Sequence, residues 1–192
     1  MADIYNAELT PGKLDVISEW LTKQDWAAGT DVAPEALTKL SAYRFDDPAG
    51  EVGIEIHIVG AGDRVFQVPV TYRGAPLAGA DKHLIATMDH SVLGKRWVYA
   101  GMGDPLFQQR LDHTIATAGT SAQQHRVDDE GNRIEEITDV AHVWGTGPLA
   151  GAEDVQMLFE LTLDSPAEKS DAGLLLGRWT GQEAPIVLAV MV

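Results

Sequence analysis

Hydrophobic and polar positions alternate most regularly between Ser41 and Arg73. In EVGIEIHIV, Val52, Ile54, Ile56 and Ile58 share one face, while Glu51, Gly53, Glu55 and His57 share the other. In RVFQVPVTYR, Phe66, Val68, Val70 and Tyr72 form a second apolar row. Matching apolar row to apolar row predicts an antiparallel register with Ile58 opposite Phe66 and Ile54 opposite Val70. That register sets Glu51 opposite Arg73 and His57 opposite Gln67. DDPAG before the hairpin and GAGD within it supply turn chemistry.

Helical periodicity flanks this meander. In LTPGKLDVISEWLTKQ, Leu14, Ile17, Trp20 and Leu21 fall on one face, with Thr10 as the expected cap and Pro11 as the first helical residue. Thr30 to Lys39 is ambiguous, and Pro34 favours a loop. DPLFQQRLDHTIATAG predicts a second helix capped by Asp104, opened by Pro105 and stopped at Gly119. Phe107, Leu111, Ile115 and Ala118 are its expected buried stripe. TSAQQHRVDDEGNR reads as an exposed connection with a turn at Asp129 to Asn132. ITDVAHVW, VQMLFELTL and LLLGRWTGQEAPIVLAVMV then read as strands, the last interrupted near Gly181. The predicted fold is α+β: a curved antiparallel sheet on helices over residues 1–119, a connection over 120–133, and a second β-rich unit over 134–192 packed on the first.

Composition narrows the function classes. The chain has 192 residues, 45% of them hydrophobic and 22% charged, which suits a soluble globular protein. Lys and Arg number 14 against 29 Asp and Glu, a net charge of −15 that argues against nucleic acid or an anionic membrane as partner. Residues 121–192 carry 4 basic and 13 acidic groups, so acidity is concentrated in the expected second unit. With no cysteine, thiol catalysis and Cys-ligated zinc are excluded. The N-terminus has neither a basic start nor an apolar stretch, and the expected location is cytoplasmic.

Candidate chemistry is sparse. His57, His83, His90, His113, His125 and His142 show no paired metal-ligand spacing. FDDPAGE lacks the spacing of a calcium loop and reads as a turn. HRVDDEGN echoes a kinase catalytic loop, but Val127 stands where the aspartate is needed. In MDHSVLGKRWVYAGMGDP, two glycines precede a helix, yet Asp104 aims a competing carboxylate at the amides an anion would use. Trp97 and Tyr99 share a face and are expected in the core, with Lys95 and Arg96 pointing outward. No catalytic residue, metal or cofactor is assigned. The candidate binding residues are His57, Gln67 and Arg73 on the polar face of the sheet, together with Lys95 and Arg96 of the basic cluster.

Five blocks together resemble the maltokinase N-terminal cap domain family: WLTKQDWAAG, RFDDPAGEVGIE, FQVPVTYRGAPLAGA, MDHSVLGKRWVYAGMGDP and GRWTGQEAPIVLA. The resemblance runs from Leu14 to Leu111 and into the final strands. It implies a cystatin-like cap, a curved antiparallel sheet packed on helix, which in maltokinases and related aminosugar kinases precedes the nucleotide-binding and catalytic lobes. The catalytic aspartates and phosphate loop of those lobes have no counterpart here. The expected function is therefore a non-catalytic cap-type protein that assists or regulates a sugar kinase or related sugar-metabolic enzyme. The alternative is a binder of a sugar or sugar phosphate on the polar sheet face.

Overall fold

A computed structural model describes residues 1–128, 130–164 and 173–192. The strands are β1 (Ala2–Tyr5), β2 (Leu9–Thr10), β3 (Leu37–Phe45), β4 (Gly53–Ala61), β5 (Arg64–Arg73), β6 (Leu84–His90), β7 (Gly94–Ala100), β8 (Gln124–Val127), β9 (Arg133–Ile137), β10 (His142–Gly145), β11 (Val155–Met157), β12 (Glu160–Leu161), β13 (Leu174–Trp179) and β14 (Gln182–Met191). The helices are α1 (Lys13–Leu21) and α2 (Pro105–Ala116). A curled antiparallel sheet runs β2-β6-β7-β5-β4-β3, with β12 added to β5. A second sheet runs β10-β13-β14-β11, and a small third runs β1-β8-β9. The fold is α+β, as the element order implied.

Both faces of the curled sheet are buried, and this determines the register. Ile54, Ile56, Ile58, Tyr43 and Phe45 pack on one side with Phe107, Leu111 and Ile115 of α2 and with Leu175, Ile186 and Leu188 of the second sheet. Val59, Phe66, Val68, Val70 and Val98 pack on the other with Val16, Ile17, Trp20 and Leu21 of α1. The observed pairs are Ile58 with Gln67, His57 with Val68, and Ile54 with Thr71. That is one residue out of step with the register predicted from the apolar rows. The two-residue turn Gly62–Asp63 between Ala61 and Arg64, with Gly62 at φ +64°, fixes the pairing. A one-residue slip sends each side chain of a strand to the opposite face. His57 consequently lies on the α1 side, whereas Gln67 and Arg73 lie on the α2 side.

Local signals at the helix ends correct two further expectations and bear out a third. Gly12, not Thr10, caps α1, and its N–H donates to the Asp15 carboxylate at 2.8 Å. Thr10 lies in β2 opposite Asp89, ahead of a cis Thr10–Pro11 bond. Asp104 does cap α2, accepting from the Leu106 N–H at 3.0 Å. At the other end Ala118 is exposed rather than part of the buried stripe. It takes the left-handed φ of +51°, while the Gly119 N–H donates to the Thr114 carbonyl at 2.9 Å. This is the Schellman arrangement with alanine where glycine is favoured. Ala118→Gly is expected to raise stability by about 0.5–1 kcal/mol, since a Cβ there is strained. Thermal denaturation checks it, and a lowered Tm would contradict the left-handed assignment.

The segment read as an exposed connection instead carries β8, which pairs in parallel with β1 and forms a hairpin with β9. Asp128 closes that hairpin by accepting from the Glu130 and Asn132 amides. Asp129 lies outside the described residues. Among the described residues, no helix is long and apolar enough to cross a membrane.

Candidate functional site

The stretch from Met88 to Pro105 is chiefly the seam between sheet and helix. Gly101–Gly103 forms a 3-10 turn joining β7 to α2. A Cβ on Gly101 would come within 2.7 Å of Pro69, and one on Gly103 would overlap the His83 ring. These glycines serve close packing. Asp104 is fully buried and joins the seam to the sheet. Arg73 donates to it from Nε at 2.7 Å and from Nη2 at 2.8 Å, and the Thr71 hydroxyl donates at 2.7 Å. Burial pushes the Asp104 carboxyl up, but the donors from Arg73, Thr71 and the Leu106 amide outweigh it, and its pKa is lowered. Trp97 departs from expectation: it pairs with Arg73 and Thr87 and is only partly buried, with the Lys95 ammonium 5.2 Å over its ring.

The five candidate binding residues are not brought together. Gln67 is fully buried between the two sheets. Its Oε1 accepts from the Tyr43 hydroxyl at 3.0 Å, and its Nε2 donates to the Leu188 carbonyl at 2.6 Å and to that of Leu158. Its amide is committed to the core. Arg73 is committed to Asp104, and Lys95 is exposed beside Trp97. His57 and Arg96 alone belong to one locality, together with five residues that sequence reading did not single out.

That locality is a cleft of about 580 Å³ where six strands of the curled sheet end. β1 and the 46–53 turn form one wall, and the β6–β7 hairpin forms the other. Behind it lies a buried charge cluster. Glu55, 4% exposed, accepts from Lys13 Nζ at 2.8 and 3.0 Å and from Arg44 Nη2 at 2.8 Å. His57 Nε2 stands 3.5 Å from the same carboxylate and 3.1 Å from the Tyr72 hydroxyl. Burial raises the Glu55 carboxyl, but Arg44, His57 and Lys13 outweigh it and hold it well below the usual range. Burial pushes His57 down to about 4, against the pull of Glu55 and with the help of Lys13 and Arg44, so the imidazole is neutral near pH 7. Burial, reinforced by Glu55, pushes the Tyr72 phenol well up. Lys13, Arg44 and Tyr72 line the cleft, and Arg96 and His90 line its far wall.

The cluster was hard to see because its members come from α1, β3, β4 and β5. Lys13 and Glu55 are 42 residues apart. The available signal was Glu55–Ile56–His57 in a strand with apolar neighbours on both sides, since a charge inside a doubly buried strand needs partners.

Known families bear on the same region. Residues 20–104 match the maltokinase N-terminal cap domain. The matched segment is a little under half of the chain, running from Trp20 to the helix cap Asp104. It takes in Arg44, Glu55, His57, Tyr72 and Arg96, but not Lys13 or β1. It also stops short of α2 and of the final strands, to which the sequence resemblance had extended. No curated protein and no solved structure matches the chain. The matched segment thus supplies β3 to β7, the 46–53 turn and the β6–β7 hairpin, and the flanking residues supply Lys13, β1 and β2.

Proposed function

We propose that the chain is a non-catalytic cap-type protein that assists or regulates a sugar kinase or related sugar-metabolic enzyme in the cytoplasm. The observation that carries this reading is the match of residues 20–104 to the maltokinase N-terminal cap domain. It is supported by residues 105–192, which carry no kinase catalytic loop and no metal-binding Asp-Phe-Gly. A cap acts through surface and position, so its effect is on the stability or substrate handling of its partner. The alternative is a sugar or sugar-phosphate binder using His57, Gln67 and Arg73, of which Gln67 is hydrogen-bonded in the core and Arg73 to Asp104.

The test uses a maltokinase from which its own N-terminal cap has been deleted. Added in trans, this chain is expected to associate with the truncated enzyme in sedimentation velocity and to raise its Tm or its sugar-dependent turnover. The chain alone is expected to release no ADP from ATP in the presence of maltose, glucose or glucosamine. Failure to associate overturns the cap reading, as does sugar-dependent ADP release that survives repurification.

A further inference from the structure

We propose that the cleft at the strand ends binds a small organic dianion, whose phosphate or carboxylate groups are held by Lys13, Arg44, Arg96 and His90. This goes beyond the cap reading and does not depend on it. The chain carries a net charge of −15, yet Lys13, Arg44 and Arg96 all line this cleft, beside the rim acids Asp3, Asp46, Asp47 and Glu51. Lys13 and Arg44 share a single carboxylate, Glu55, and among the described residues Arg96 on the opposite wall has only the Leu93 carbonyl as acceptor. Three cations therefore face one buried anion, an excess close to the charge of a dianion. Burial pushes the Lys13 pKa down, Glu55 holds it up, and Arg44 pushes it down again.

Donor capacity points the same way. Arg44 Nε and Arg96 Nε are buried without a hydrogen-bond partner among the described residues. Buried donors in native proteins are nearly always matched, so two unmatched guanidinium nitrogens flanking one cavity call for an acceptor. His90 takes the Val92 and Leu93 amides on Nδ1, at 3.2 and 3.1 Å, which leaves Nε2 to carry the proton and donate. Burial first, then Arg96 and Lys13, lowers the His90 pKa, as expected if these cations share one field.

Two of the four acids that line the rim are paired with cations outside this wall. Asp46 takes the N-terminal ammonium, and Asp3 takes Arg133 at 2.7 Å. Asp47 is occupied by the amides of Ala49, Glu51 and Val52 at 2.9–3.0 Å. Glu51 is exposed on the outer turn. The volume, about 580 Å³, falls within the roughly 300–1,000 Å³ typical of small-ligand sites and exceeds what a bare phosphate fills. Tyr5, Leu9, Met88 and Tyr72 offer a largely apolar lining for an organic body.

Titration calorimetry of the intact chain at low ionic strength, with glucose 6-phosphate, citrate, inorganic phosphate and glucose, tests the proposal. Glucose 6-phosphate or citrate is expected to bind and to raise Tm, and neutral glucose is expected to do neither. Tighter binding of glucose 6-phosphate assigns the site to phosphate, and tighter binding of citrate assigns it to carboxylate. Inorganic phosphate is expected to bind more weakly than the better of the two. Arg96→Gln and Lys13→Gln are each expected to weaken binding about tenfold or more, the effect of losing one charged hydrogen bond. Lys95→Gln, adjacent in sequence but outside the cleft, is expected to leave affinity unchanged. Arg96→Gln leaves the Glu55 cluster intact, so its result stands even if Lys13→Gln unfolds the chain. Absence of anion binding at roughly 10 mM, a weaker limit than a Kd of 1 mM, overturns the proposal. So does equal binding of glucose, or an equal loss of affinity in Lys95→Gln.

Discussion

Asp104→Ala is expected to destabilise the protein by about 3–5 kcal/mol, far more than the ~1 kcal/mol of an ordinary helix cap. Asp104 is fully buried and accepts four hydrogen bonds: two from Arg73, one from Thr71 and one from the Leu106 amide. Removing the carboxylate leaves the largely buried Arg73 guanidinium without its counter-charge, leaves a buried hydroxyl unmatched, and uncaps α2. Breaking one side of a buried pair costs more than the pair contributes over an apolar replacement, because an uncompensated charge remains. Asp104→Asn should lie between the two states, since its carbonyl can still accept from Leu106 while the charge is lost. Urea denaturation measures the series. An Ala variant within 1 kcal/mol of the parent would show that Arg73 escapes to solvent and that the seam is not held by this contact. The linked pH effect has a definite sign. Because the folded carboxyl has a lowered pKa, its stabilisation is present above the unfolded value near pH 3.9 and is lost as pH falls through the lower folded value.

Asp104 was legible in the sequence because a cap followed by proline is a local signal. The hairpin turns and the strand boundaries between Ser41 and Arg73 were legible for the same reason. What failed was inference that assumed a solvent face. Alternation in β4 was read as apolar inside and polar outside, so Gln67 was assigned to the same face as His57. In the structure both rows are covered, one by α1 and the other by α2 with the second sheet. Gln67 and Thr71 sit opposite Ile58 and Ile54 because a two-residue turn sets the register, and each polar group finds an internal partner. Trp97 was expected in the core because alternation sets it on one face with Tyr99, yet only Tyr99 is fully buried and Trp97, nearer the start of β7, is partly exposed. The charge cluster was illegible for a different reason. It depends on Lys13, Arg44, Glu55, His57 and Tyr72 meeting across four elements, and no spacing in the chain encodes that meeting.

Acid sensitivity follows from the same cluster. Stability is expected to fall by about 3 kcal/mol between pH 7 and pH 4 on account of His57 alone. The unfolded imidazole protonates near 6.5, whereas burial between α1 and the sheet pushes the folded one down to about 4. Between these values the unfolded chain holds a proton that the folded chain refuses, so stability rises with pH at up to about 1.4 kcal/mol per unit. The contribution is complete above pH 6.5 and is lost as pH falls towards 4. Glu55 stays ionised throughout this window because Arg44, His57 and Lys13 outweigh its burial. The protonated His57 would therefore gain one carboxylate 3.5 Å away, but it would meet Lys13 and Arg44 on the same acid and lose its solvation. His90, also lowered, adds a smaller slope of the same sign. Urea denaturation of the parent and of His57→Gln at half-unit intervals from pH 7 to 4 separates the contributions. The variant starts from a lower stability if the Tyr72 contact matters, but its profile across the window should be much flatter. Parallel profiles for the two proteins would place the acid-sensitive group elsewhere and show that water reaches His57 in the folded state.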